Sequence, residues 1–387
     1  MEKISERMVE KLRTYRSKRA IDGVSFRLEK GKTSKTENRN NNNGEHEVQW
    51  SELPDPALDI ISKKLSIVEL FSFGGVCNRW RSVYNTAKVD SMAATQLPLL
   101  VHSFSLPRRT LRLYNTDSGI SFMKRLPLLH GRKFCGTTGS YLILMNKSYT
   151  QPLLVNPFTG NKILFPKCYW LLFPRLCLLS TPSGLFLVEM GHWRHIIKYC
   201  QSGGTSWFIH AENVYRFGFM DAVVFKDKIY VVSSTGRFAT LDLVPEYKLT
   251  IIETTDEDCI DPGNLDYLPY LVESGGELLV LHLFFDPGEV GLICFEIYRF
   301  DFERSKWIEV QSLGGRALFV TYGGSAVSVD PTPWGGQGDC LYIAGPMMDY
   351  WSLLTLDGKT IFNFPVPPRD QDFSRTNSTH VWIHPSL

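Results

Sequence analysis

The sequence predicts an α+β multidomain chain: a basic N-terminal tail, a small three-helix unit, and an all-β propeller of about six blades. Three observations lead there. Apolar residues follow helical spacing over residues 49–90. From about residue 98 they fall instead into short runs separated by turn residues. Those runs recur in units beginning near residues 102, 134, 177, 219, 269 and 316. A spacing of about 35–50 residues is what one four-stranded propeller blade requires. A pair of β-sandwiches is the architectural alternative.

The tail comes first. Residues 1–46 hold twelve Lys or Arg against seven acids, and a polar tract runs from Asn38 to Asn43. Such a segment buries too little apolar surface to offset its chain entropy, so it is expected to be disordered. The cluster between Lys11 and Arg19 has the composition of a nuclear-targeting signal, a pattern that also arises by chance. Across all 387 residues the net charge is only +2, which gives no electrostatic bias toward nucleic acid or membrane.

Residues 47–92 form the second part. Pro54 suits the first helical position, where a missing N–H costs nothing. Leu58, Ile61 and Leu65 then share one helix face. Ser66 and Glu69 have capping-box spacing ahead of Val68, Leu70, Phe71 and Phe73. Gly74-Gly75 marks a break, and Val76, Cys77, Trp80, Val83 and Tyr84 give a third stripe. Three short helices in so few residues cannot cover their own apolar faces, so this unit needs a partner surface.

Residues 98–387 form the third part. Tyr141–Met145, Leu153–Val155 and Ile163–Phe165 are apolar runs, with Asn156-Pro157-Phe158-Thr159-Gly160 as the turn before the last. Val223–Phe225 turns at Lys226-Asp227-Lys228 into Ile229–Val232, then Phe238–Leu241. Glu277–Leu281, Cys294–Tyr298, Cys340–Ala344, Trp351–Leu356 and Ile361–Phe364 continue the series. Aromatic residues are 13% of the chain, with 30 Gly and 21 Pro, a composition that favours strands and turns.

The eight cysteines are Cys77, Cys135, Cys168, Cys177, Cys200, Cys259, Cys294 and Cys340; no two make a CxxC pair and several sit in apolar runs. The mixed charges Glu2, Lys3, Glu6 and Arg7 are unlike a secretory leader, and no apolar run approaches the roughly 20 residues of a membrane span. An intracellular protein with reduced, buried thiols is therefore expected.

Residues 50–84 resemble the F-box family. The resemblance rests on Leu53-Pro54, Leu58, Ile61, Leu65, Leu70, Val76-Cys77 and Trp80-Arg81, in the family register without insertion. Glu69 stands where Asp is frequent, and Gly74-Gly75 replaces better helix formers. The remainder resembles plant F-box proteins with a KIB-type β-propeller. Here the matching segments are Gly139–Leu144, Leu154–Gly160, Ile163–Pro166, Asp221–Val232 and Asp301 to Trp307.

The resemblance implies a substrate-recognition subunit of an SCF-type ubiquitin ligase, located in nucleus or cytoplasm. Its F-box would dock on a Skp-family adaptor, which joins it to cullin and RING subunits. Leu53, Pro54 and Ile61 would face the adaptor; Leu65, Leu70 and Val76 would lie between the helices; Trp80 would be the anchor, with Leu58 and Cys77 in the same set. The propeller would bind an unknown protein target and lead it to ubiquitylation and degradation. Target-contact candidates are Trp193 and Arg194, Trp334, and Tyr350, as aromatic and Arg residues read in loops. Such a role needs no catalytic residue and no cofactor.

Other chemistries find little support. His192, His195 and Cys200 lack a second ligand pair at zinc-site spacing, so no metal is expected. Gly335–Gly338 lacks the Lys-Ser/Thr of a phosphate loop. No Gly-x-Ser-x-Gly elbow exists, and the acidic run Asp256, Glu257, Asp258 and Asp261 reads as a solvated loop. A propeller hydrolase or a scaffold acting outside a cullin complex remains the alternative function.

Overall fold

A computed structural model of the chain describes residues 53–62, 73, 77–84, 86, 97–105, 109–117, 119, 121–169, 175–190, 196–211, 218–234, 236–254, 266–285, 292–345, 350–356, 361–365 and 378–385.

In the N-terminal part, helix α1 runs Asp55–Ser62. Pro54 precedes it, and Ala57 N donates to the Pro54 carbonyl at 2.9 Å. The sequence placed Pro54 inside the first turn; the helix begins one residue later, and the reason for a proline there is unchanged, since no N–H is needed at either place. Leu58 is fully buried and Ile61 half-buried, while Ile60 on the other side is 58% exposed. Residues 78–84 are helical, and Arg81 N donates to Cys77 O.

From Leu97 onward the chain is a six-bladed propeller. Blade 1 holds β1 (Leu99–Ser105), β2 (Thr110–Tyr114) and β3 (Ser121–Arg125), and takes β25 (Ser378–Ile383) as its inner strand. Blade 2 is β4 (Arg132–Thr138), β5 (Tyr141–Asn146), β6 (Pro152–Val155) and β7 (Lys162–Leu164). Blade 3 is β8 (Arg175–Thr181), β9 (Gly184–Met190), β10 (Ile196–Gln201) and β11 (Phe208–Ala211). Blade 4 is β12 (Phe219–Phe225), β13 (Lys228–Ser233), β14 (Phe238–Asp242) and β15 (Lys248–Ile251). Blade 5 is β16 (Asp266–Ser274), β17 (Glu277–Phe285), β18 (Leu292–Asp301) and β19 (Lys306–Glu309). Blade 6 has five strands, in the order β21 (Ala326–Val329), β20 (Ala317–Thr321), β22 (Cys340–Ala344), β23 (Tyr350–Thr355) and β24 (Ile361–Pro365).

The continuous apolar runs have a direct cause. Strand side chains alternate between faces, and each blade is covered on both. In β5, Leu142 and Leu144 pack toward blade 1 with Leu111, Leu113 and Ile383. Ile143 and Met145 pack toward blade 3 with Leu176, Leu187 and Cys200. In β13, Ile229 and Val231 face blade 3, while Tyr230 and Val232 face blade 5. A strand buried on both faces loses the polar half of its alternation.

Closure joins the two ends of the β region. Trp382 and Val381 of β25 stand opposite Leu100 and Val101 of β1. Val381, Trp382 and Ile383 are all buried. A ring closed in this way has no open first blade.

Candidate functional site

The inner strands splay around an axis and cannot ladder with one another, so their edge groups need other partners. They find them in a belt of six side-chain-to-backbone hydrogen bonds that runs once around the ring. Thr137 Oγ1 on β4 donates to Trp382 O on β25 at 2.8 Å. Leu178 N on β8 donates to Thr138 Oγ1 on β4 at 2.8 Å. Cys177 Sγ on β8 donates to Ala222 O on β12 at 3.6 Å. Leu271 N on β16 donates to Asp221 Oδ2 on β12 at 2.9 Å. Tyr270 Oη on β16 donates to Thr321 O on β20 at 3.1 Å. Trp382 N on β25 donates to Thr321 Oγ1 at 3.0 Å.

The belt shows that β20 fills the inner-strand place of blade 6. It runs parallel to β22, whereas the inner strand of every other blade is antiparallel to its neighbour. Strand β21, beyond it, is therefore an additional strand at the inner edge of blade 6, and it lies beside β16 of blade 5.

A charged group sits at one mouth of the axis. Arg175 Nη2 lies 3.4 Å from Asp221 Oδ1, with the two side chains 21% and 6% exposed. The same nitrogen donates to the Gly324 carbonyl in the β20–β21 turn. The guanidinium also lies 5.5 Å from the ring centre of Tyr270, a cation–π distance. Burial drives the Asp221 carboxyl up to about 6, against the opposing pull of Arg175 and of the Leu271 and Ala222 amides. Burial likewise drives Tyr270 up to about 12, so its hydroxyl stays protonated and able to donate. Gly323 N donates back to Tyr270 Oη at 3.0 Å.

Strand registers sort the remaining candidates between the two faces. Arg175 stands opposite Met190, and Thr321 is level with Ala344. The start of β8, the end of β9, the turn after β20 and the start of β23 thus share the Arg175 face. Tyr350, first residue of β23 and half-buried, belongs to that face. Trp193 and Arg194 lie outside the described residues, as do His192 and His195; the described residues that flank them, Met190 and Ile196, close their strands at the same end. Trp334 is on the opposite face. Ala317 pairs with both Val329 and Cys340, so the β21–β22 connection emerges at the far end. There the indole is half-buried in a 3-10 turn, Thr332–Trp334, and packs so close to Gly336 that a Cβ would come within 2.3 Å of Nε1. Trp334 and Tyr350 thus cannot contribute to one surface.

In the helical part, Leu53 is half-buried and Pro54 exposed. Cys77 and Trp80 are half-buried, and the Trp80 ring lies 4.5 Å from that of buried Phe73. Leu65, Leu70 and Val76 lie outside the described residues, as do Ser66 and Glu69. Among the described residues no group of three or more His, Cys, Asp or Glu side chains is placed to hold a metal. Sequence reasoning missed Arg175, Asp221 and Tyr270. Each had a faint signal: a charge or hydroxyl inside an otherwise apolar strand.

Comparison with known proteins agrees with this geometry. The family model described as KIB1-4 beta-propeller matches residues 104–373. The F-box domain model matches residues 50–83. Among curated relatives, F-box protein At3g56470 of Arabidopsis thaliana is 21% identical over 76% of this chain and 78% of its own. The Arabidopsis F-box protein SKIP23 is 24% identical over 73% and 82%. The Arabidopsis probable F-box protein At4g22165 is 28% identical over 51% and 60%. With a six-bladed ring closed by its own C-terminal strand and an F-box ahead of it, the chain belongs to the F-box proteins of the KIB1-4 β-propeller family.

Proposed function

We propose that this protein is the non-catalytic substrate-recognition subunit of an SCF-type ubiquitin ligase, with the F-box holding a Skp-type adaptor and the propeller holding the target. The observation that carries it is the union in one chain of an F-box match at residues 50–83 and a closed propeller. In this reading Leu53, Pro54 and Ile61 face the adaptor and Trp80 anchors it, Leu65, Leu70 and Val76 lie between the helices, and Leu58 and Cys77 complete the F-box set. Exposed Pro54 and half-buried Leu53, Ile61 and Trp80 leave apolar area for a partner to cover. Through the adaptor the protein joins cullin and RING subunits, and the transfer chemistry belongs to them. The target is read by the Arg175 face, with Tyr350, Trp193 and Arg194; Trp334 offers a separate contact on the other face. The working compartment is nucleus or cytoplasm.

The test is adaptor capture followed by reconstitution. Full-length protein is expected to co-purify with a Skp-type adaptor. Leu53→Ala with Pro54→Ala should abolish that, while the propeller keeps its circular dichroism and melting temperature. Normal capture by the double variant refutes the interface. Adaptor capture without any cullin-dependent ubiquitin transfer refutes the ligase reading and favours a scaffold role.

A further inference from the structure

The β20–β21 hairpin has three unusual properties. Its turn is held by side chains from other blades. Arg175 of blade 3 donates to Gly324 O, and Tyr270 of blade 5 donates to Thr321 O and accepts from Gly323 N. Asp221 of blade 4 completes the seat by pairing with Arg175 at 3.4 Å. In a ring of six, blades 3 and 6 are opposite, so the Arg175 contact spans the axis. The turn is also shaped to be gripped closely. Gly323 has φ +67°, and a Cβ on Gly324 would fall 2.6 Å from Thr321 Cγ2. Finally, β21 is the strand added at the inner edge of its blade. Its Ser328 Oγ lies 2.8 Å from Ser274 Oγ of β16 and accepts from Arg316 Nε at 2.9 Å.

We infer that the β20–β21 hairpin is a built-in stopper of the central channel, and that Arg175 is the positioning residue that seats it by tying opposite blades together. A hairpin that only completed blade 6 would need its ladder with β20 and β22 and nothing more. Here blades 3 and 5 supply polar groups directly to Thr321, Gly323 and Gly324, and Asp221 of blade 4 holds the arginine that makes one of those contacts. A charged side chain also gives up part of its hydration to reach a carbonyl across the axis, which a merely structural surface arginine does not do. The consequence is that ligands meet this propeller on a face, because its own chain occupies the axis at the Arg175 mouth. This holds whatever the target is.

Backbone amide hydrogen exchange on the full chain tests it. In Arg175→Met the amides of residues 322–329 should exchange about tenfold faster or more, while those of β5, β13 and β17 keep their protection. Arg175→Lys, which keeps the charge but shortens the reach, should restore part of that protection. Tyr270→Phe keeps the ring and removes one contact; it should loosen residues 321–324 alone, and it carries the test if Arg175→Met does not fold. Unchanged exchange at the turn in both variants, or an equal rise in all six blades, overturns the stopper.

Discussion

Thr321 joins three blades at once. Its carbonyl accepts from Tyr270 Oη of blade 5, and its hydroxyl accepts from Trp382 N of blade 1. Thr321→Val keeps the backbone, the branching and nearly the volume, and removes one acceptor. Both ends are buried, Thr321 at 2% and Trp382 at 4% exposure, so water cannot replace it. A buried donor left unsatisfied costs about 1–3 kcal/mol. The methyl group that replaces the hydroxyl meets the same N–H at hydrogen-bond distance, closer than van der Waals contact, so strain adds to the loss. At about 2 °C per kcal/mol for a domain of this size, the melting temperature should fall by about 2–6 °C. Thr240→Val is the control: Thr240 is half-buried mid-blade in β14, and its change should stay within about 0.5 kcal/mol. The assay is urea unfolding followed by tryptophan fluorescence and circular dichroism, with coincident transitions required. If Thr321→Val is no less stable than Thr240→Val, the belt does not hold the ring.

Three further outcomes follow from the same geometry. Asp221 and His282 should give opposing pH dependences. Burial raises Asp221 to about 6 from an ordinary value near 4, so its contribution is full below about pH 4 and is lost as pH rises through 6. Burial holds His282, 2.6 Å from Tyr267 Oη, down at about 3, so its contribution is full above about pH 6.5 and is lost toward pH 3. Each slope reaches about 1.4 kcal/mol per pH unit, and between pH 4 and 6 they offset; Asp221→Asn should then lose stability toward acid more steeply than wild type, and parallel curves refute this. Deleting residues 378–387 removes β25, the inner strand of blade 1, and should abolish the cooperative transition; a sharp melt in the truncated chain contradicts closure by β25. Gly324→Ala should cost about 1–3 kcal/mol, because its Cβ meets Thr321 Cγ2 at 2.6 Å; calorimetry at wild-type Tm would count against the close turn.

The repeat was legible because each blade spends its residues alike. The expected starts at residues 134, 177, 219, 269 and 316 fall within three residues of β4, β8, β12, β16 and β20. The turn expected at Lys226-Asp227 is there, both residues in the left-handed region, with the Lys226 ammonium 4.9 Å above the Phe225 ring. The fifth strand of blade 6 was not legible. Ala326–Val329 is short and half-buried, and nothing local separates a strand that opens a blade from one added at its inner edge. Nor was the pairing of residues 378–383 with residues 99–103, since partners that distant leave no periodic trace. Trp334 and Tyr350 both read as aromatics in blade 6, and only strand direction sends them to opposite faces.

By itself the sequence determined the helical unit, its F-box register, the number of blades and the apolar character of their strands. These are local properties: period, turn residues and run length are written within a few residues of where they act. Tertiary structure alone decided the ring closure, the belt and the Arg175 seat. Arg175, Asp221, Tyr270 and Gly324 come from four blades and span about 150 positions of sequence. A lone charge in an apolar strand states only that it needs a partner when buried; which partner it finds depends on how the blades close around the axis.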